Sequence, residues 1–132
     1  MTHDALHDWI DKYGRAWRER NADAATHLFT ETAIYDSHPF REPHHGREGV
    51  RAYWEWATHD QSNLELRFGH AILDGRYAAV EWWAILDEKG TGAVTIPGCL
   101  FLRFSADMLC EELREYWAYE KKRIEPRGNW GM

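Results

Sequence analysis

The acid–base chemistry open to this chain rests on a few side chains. His38 sits in the run DSHPFREPHHG, and an imidazole gives or takes a proton near neutral pH with little tuning. The same ring can instead order a Pro-rich turn through a loop hydrogen bond. Glu115 lies in LREYWAY, where strand alternation puts Leu113, Glu115, Trp117 and Tyr119 on one face. A carboxyl among aromatic rings either holds a raised pKa, useful for proton transfer, or pairs with a cation such as Arg103 or Arg114. Glu81, in VEWW, is the parallel case on another strand. Its direction depends on the hairpin at 87 to 92: either Glu81 and Trp83 face inward or Val80 and Trp82 do, and we favour Glu81 with Trp83. Cys99, beside Pro97, has no basic neighbour in sequence to activate its thiol, so it is expected to line a pocket rather than attack a substrate. Asp36, His38, His44 and His45 are metal-ligand types, but their spacing matches no recognised site and the chain uses His freely elsewhere. No metal and no other cofactor is expected.

These residues need a scaffold, and the apolar periodicity supplies one. Leu6, Trp9, Ile10, Tyr13, Ala16 and Trp17 recur at helical steps with charged residues opposite, predicting an amphipathic first helix. Asn21 is a candidate cap for a short second helix carrying Ala24, Ala25, Leu28 and Phe29. Residues 33 to 37 read as a strand, and Pro39 and Pro43 exclude regular structure after it. Val50, Tyr53, Trp54 and Ala57 mark a third helix. From about residue 62 the period changes to two, giving four strands joined by turns at Asp74-Gly75, 87–92 and 105–107. Helices first and an antiparallel meander afterwards predict an α+β fold with helices on one face of the sheet. Pro97-Gly98 in mid-strand predicts a bulge and a sharp bend. The domain is expected to span 1–120, followed by a polar tail at 121–132 of extended or loose structure.

Composition narrows the function. The 132 residues are 44% hydrophobic, enough for one domain with a real core. A formal net charge of -6, with no basic block, argues against nucleic acid and anionic membranes as partners. No apolar run is long enough to span a bilayer, and the first residues lack the pattern of a signal peptide, so the expectation is a cytoplasmic protein. Cys99 and Cys110 are read as free thiols. Eight Trp residues are unusual and suit a core or a cavity wall.

The order and spacing of AWRERNAD, LFTETAIY, HGREGVRAYW, CLFLRF and REYW resemble the SnoaL-like branch of the nuclear transport factor 2-like superfamily. The resemblance implies a cone-shaped, curved antiparallel sheet wrapped round a long N-terminal helix, with two further helices. It also implies a pocket inside the cone and a homodimer through the sheet. Pocket walls are then expected from Trp17, Tyr35, Trp54, Trp83, Cys99, Phe101, Leu113 and Trp117, with His38 at the rim. The superfamily hosts isomerases, cyclases, dehydratases and epoxide hydrolases, so it implies no single reaction. The ketosteroid isomerase pattern does not carry over: Ser37 stands where its base Asp belongs and Pro97 where its oxyanion Asp belongs. Tyr13 lies on the first helix, about half a turn from the position of that pattern's Tyr. The expected function is binding of a small, mostly apolar molecule, with cofactor-independent isomerase, cyclase or dehydratase chemistry carried by His38, Glu115, Glu81 and Tyr13. The alternative is a non-catalytic ligand-binding or dimerisation module.

Overall fold

The first helix, α1 (His3–Arg18), is long because both its end and its face are specified. The Thr2 hydroxyl accepts the Ala5 N–H at its start, and Arg15 and Arg18 complement the negative end of the helix dipole in its last turn. Leu6, Trp9, Ile10, Tyr13, Ala16 and Trp17 are all buried, as the periodicity predicts, and burial of each large side chain stabilises the fold by about 1.5–3 kcal/mol. Asn21 caps α2 (Ala22–Thr26) through the Ala24 N–H, again as predicted. The third helix, α3, runs Gly46–Thr58 and buries Val50, Trp54 and Thr58.

In this computed structural model, which describes residues 1–132, the helices lie against one curved, unclosed sheet of seven strands. These are β1 (Phe29–Asp36), β2 (His44–His45), β3 (Gln61–Phe68), β4 (Ile72–Asp74), β5 (Tyr77–Glu88), β6 (Gly92–Phe104) and β7 (Cys110–Trp117). The order is β2-β1-β7-β6-β5-β3, with β4 pairing β5 beside this path. The α+β class holds, but the sheet is mixed rather than antiparallel throughout: β1 pairs parallel with β7, with Tyr35 opposite Leu113. No helix is long and apolar enough to cross a membrane.

One local expectation fails for an identifiable reason. The β5–β6 ladder runs unbroken from Tyr77↔Arg103 to Glu88↔Gly92, so Pro97-Gly98 makes no bulge. Gly98 is needed instead for room: a Cβ there would stand 2.3 Å from Cζ2 of Trp82, its cross-strand partner. The tail has no regular structure, yet it is anchored. Glu120 exchanges backbone bonds with Thr95, the Thr95 hydroxyl donates to the Lys122 carbonyl, and the Trp83 indole donates to the Ile124 carbonyl. Trp130 then packs edge-on against Trp83, with the Arg67 guanidinium over its ring.

Candidate functional site

The sheet register decides which side chains meet inside the cone. Across β5, β6 and β7 one row reads Val80, Leu100, Glu115 and the next reads Trp82, Gly98, Trp117. The missing side chain at Gly98 makes room for the Trp82 ring over that strand. These rows, with Tyr13 and Trp17 from α1, Tyr35 from β1 and Tyr53 and Trp54 from α3, enclose a cavity of about 260 Å3. Its walls are mostly aromatic, a composition suited to small-molecule binding.

Glu115 is the polar centre of this cavity. Its carboxyl is 7% exposed and meets no cation. The Tyr35 hydroxyl donates to Oε1 at 2.5 Å and the Tyr13 hydroxyl donates to the same oxygen at 3.1 Å. The two hydroxyls are themselves 3.1 Å apart. No bond engages Oε2. Burial disfavours the anion and raises the carboxyl pKa to about 7, while the two tyrosine hydrogen bonds act in the opposite direction. Burial also pushes Tyr13 and Tyr35 well above the usual phenol range, so both stay protonated donors at neutral pH. The group is therefore a carboxyl with one oxygen fixed, one oxygen free, and both protonation states populated near neutrality.

The tyrosines are fixed by packing. Tyr13 stacks on Trp9 at 5.2 Å and meets Trp54 edge-on at 5.2 Å; Tyr35 lies 5.6 Å from Phe29 and 5.2 Å from Tyr53. Around the rest of the cavity, the Trp17 indole donates to Gln61, and Tyr119 donates to Glu88 at 2.6 Å. Arg41 lies 5.9 Å from the Trp117 ring centre. The indole nitrogens of Trp54 and Trp82 are buried and have no partner.

Several expected positions fall elsewhere. Glu81 and Trp83 are on the outer face, because the Glu88↔Gly92 closure of the hairpin turns Val80 and Trp82 inward. Glu81 is exposed there, and Trp83 is covered by the tail. Cys99 pairs with Glu81 and so shares the outer face; burial and the nearby Glu81 charge raise its thiol pKa, which makes it a poor nucleophile. Phe101, opposite Ala79, also points outward and is 44% exposed. Leu113 is fully buried core, behind the cavity rather than on its surface. His38 is not among the cavity walls: its Nδ1 accepts the Phe40 N–H and its ring abuts Trp117 edge-on, so it orders the loop. Tyr13, Trp17, Tyr35, Trp54, Glu115 and Trp117 do line the cavity.

The expected cavity walls left out Tyr53 and also Trp82, the alternative to Trp83, while His44 entered only as a metal-ligand type. Tyr53 lines the cavity, and His44 stacks on it at 4.7 Å with its ring nitrogen 3.4 Å from the Ser37 hydroxyl. Burial holds the His44 pKa below the usual imidazole value. Tyr53 was visible as an apolar position on α3, but which of that helix's positions met the cavity was not.

Comparison with known proteins agrees with this architecture. A Bacillus subtilis structure provisionally described as an isomerase is similar over 89% of this chain and 90% of its own, at 14% identity and TM-score 0.79. A protein of ketosteroid isomerase-like fold from Catenulispora acidiphila, in complex with trimethylamine, matches over 82% of this chain and 83% of its own, at 19% identity and TM-score 0.74. SalBIII, an epoxide hydrolase/cyclase-like enzyme in pyran ring formation in salinomycin, matches over 85% and 89%, at 20% identity and TM-score 0.74. At these identities the likeness is one of fold. No curated protein matches the chain in sequence. The SnoaL-like domain family matches residues 10–112, from the middle of α1 to the start of β7, and the chain belongs to that family.

Proposed function

We propose that this SnoaL-like domain binds a small, mostly apolar molecule in its aromatic cavity and moves a proton on it without a cofactor, using Glu115 as acid and base. The observation that carries this reading is the asymmetry of the Glu115 carboxyl. Tyr13 and Tyr35 occupy Oε1, which leaves Oε2 for the occupant of the cavity. A pKa of about 7 makes the same group an adequate base when ionised and an adequate acid when protonated. In an isomerisation, Oε2 removes a proton from a carbon next to a carbonyl and returns it to another carbon. Tyr13 and Tyr35 hold the carboxyl in place rather than binding the substrate oxygen, since both hydroxyl protons are already directed to Oε1. His38 has no direct part in this scheme.

The isomerase and cyclase descriptions of the similar structures support a reaction of this class, and the trimethylamine of the Catenulispora protein supports an occupant of modest size. Deuterium exchange at carbon, followed by NMR over a panel of enolisable ketones and enones, tests the reading. Wild-type protein is expected to accelerate exchange on at least one compound, and Glu115→Gln to lose about 100-fold or more of that rate while remaining folded. Undiminished exchange by a folded Glu115→Gln protein sinks the proposal; binding without exchange leaves a ligand-binding module.

The same proposal includes a homodimer through the outer sheet face, supported by Tyr77 and Phe101, whose rings lie 6.4 Å apart and stay 45% and 44% exposed. Phe101→Asp should shift the sedimentation coefficient to that of a monomer. A cytoplasmic location belongs to it as well, supported by Cys99 and Cys110 remaining free thiols.

A further inference from the structure

The surface that the cavity offers its occupant is rich in electrons, and most of its hydroxyl and indole donors are already committed. Tyr13 and Tyr35 direct their protons to Glu115, Tyr119 to Glu88, the Trp17 indole to Gln61, and the Thr58 hydroxyl to the Trp54 carbonyl. The Trp54 and Trp82 nitrogens are buried and present no surface to the cavity. What remains is ring π-density, the free Oε2 of Glu115 and the Gln61 amide, with the Tyr53 hydroxyl, the exposed Trp56 indole and Arg41 as the donors left over. The charges lean the same way: Glu115 and Glu88 are both in the walls, against a single cation, the exposed Arg41. Adjacent walls meet near right angles, Trp17 to Trp82 at 82° and Tyr13 to Trp54 at 88°. Arg41 already rests its guanidinium over one wall ring, Trp117.

We propose that the occupant of this cavity is a small organic ammonium, tertiary or quaternary, seated against the aromatic walls with Glu115 as its counter-ion. Rings hold such a cation through their negative faces, and they do so more strongly where water is excluded. A weakly hydrated ammonium with an alkyl shell also suits apolar walls. The proposal rests on the reading of the cavity as the ligand site and narrows the ligand to one class.

Calorimetric titration with choline and with its neutral carbon isostere, 3,3-dimethylbutan-1-ol, tests it, because the pair differ in charge and hardly in shape. Choline keeps its charge at every pH, so its affinity should follow ionisation of Glu115. Facing that carboxyl are Tyr13 from α1, Tyr35 from β1 and Tyr53 from α3, each pushed up by burial and uncharged through the range tested. Arg41, Glu88 and Tyr119 share the cavity, and His44, stacked on Tyr53, is held below the usual imidazole value by burial. Choline is expected to bind about tenfold or more tighter than the alcohol at about pH 8, and to weaken by roughly tenfold on going to about pH 6 as Glu115 protonates. Glu115→Gln should bind choline weakly and without that pH dependence, although the wild-type profile alone decides the matter if the variant does not fold. Equal or tighter binding of the alcohol, choline binding that ignores pH, or no binding of either probe overturns the ammonium assignment. Alcohol binding alone would leave the apolar-ligand reading standing. Loss of both probes together with no deuterium exchange on any compound would remove that reading too.

Discussion

The two faces of one sheet use nearly the same side chains to opposite ends. On the inner face β5 and β7 carry Trp82, Glu115 and Trp117; on the outer face the adjoining positions carry Glu81, Trp83 and Tyr116. Inside, the carboxyl is sealed among rings, meets two phenols and titrates near neutrality. Outside, Glu81 stands in solvent, while Trp83 serves as a post on which the tail is tied. Composition does not distinguish these faces. What distinguishes them is whether a helix layer lies above, because only desolvation turns an ordinary Glu into a group with two useful protonation states.

Exchange catalysis should separate the faces most sharply. Glu115→Gln is expected to lose about 100-fold or more in deuterium exchange, and Glu81→Gln to lose nothing; equal losses would collapse the distinction. Below about pH 7 the wild-type exchange rate should fall tenfold per unit as Glu115 protonates, and above it level off.

Stability comes next. The folded pKa of Glu115 lies above its unfolded value, so the folded protein holds the proton more tightly. Its contribution is therefore fully present below the unfolded value of about 4.5 and is lost as pH rises through about 7. The stability of wild type relative to Glu115→Gln should fall by about 3 kcal/mol between roughly pH 4 and pH 8, measured by urea unfolding. The same comparison with Glu81→Gln should stay within about 0.5 kcal/mol.

Gly98→Ala tests the inner face without touching a charge. Its Cβ would collide with Trp82, so a loss of about 1–3 kcal/mol in urea unfolding is expected, with weakened ligand binding as the Trp82 ring is displaced. Trp130→Ala tests the outer face and should cost about 1 kcal/mol. Its clearer signature is faster tryptic cleavage at Lys121, Lys122 and Arg123, with deuterium exchange at carbon unchanged.

How much of this was legible depended on the range of the interaction. The buried stripe of α1 and the Asn21 cap follow from spacings of three and four residues, and both read correctly. Glu115 was also legible, since alternation along β7 ties its face to that of Leu113 and Trp117. Its phenol partners were harder to place. Tyr13 is 102 residues away and Tyr35 80; Tyr35 meets Glu115 because β1 lies parallel to β7, and Tyr13 because α1 packs over the sheet, neither of which a local pattern encodes. The choice between Trp82 and Trp83 turned on where the hairpin closed. Strand β5 extends to Glu88, beyond the Leu86 that the turn residues suggested, and VEWW itself has equal claims on either face. Pro97-Gly98 misled because a strand glycine signals a bulge in general, whereas here it answers to one indole across the ladder.

The double anchoring of Oε1 has a stereochemical consequence. A carboxyl gripped through one oxygen by two phenols on separate elements cannot swivel to exchange its oxygens. Any proton it transfers enters and leaves through Oε2, from one side of the bound molecule. A reaction run in this cavity should then be single-handed, marking one prochiral hydrogen and sparing its twin.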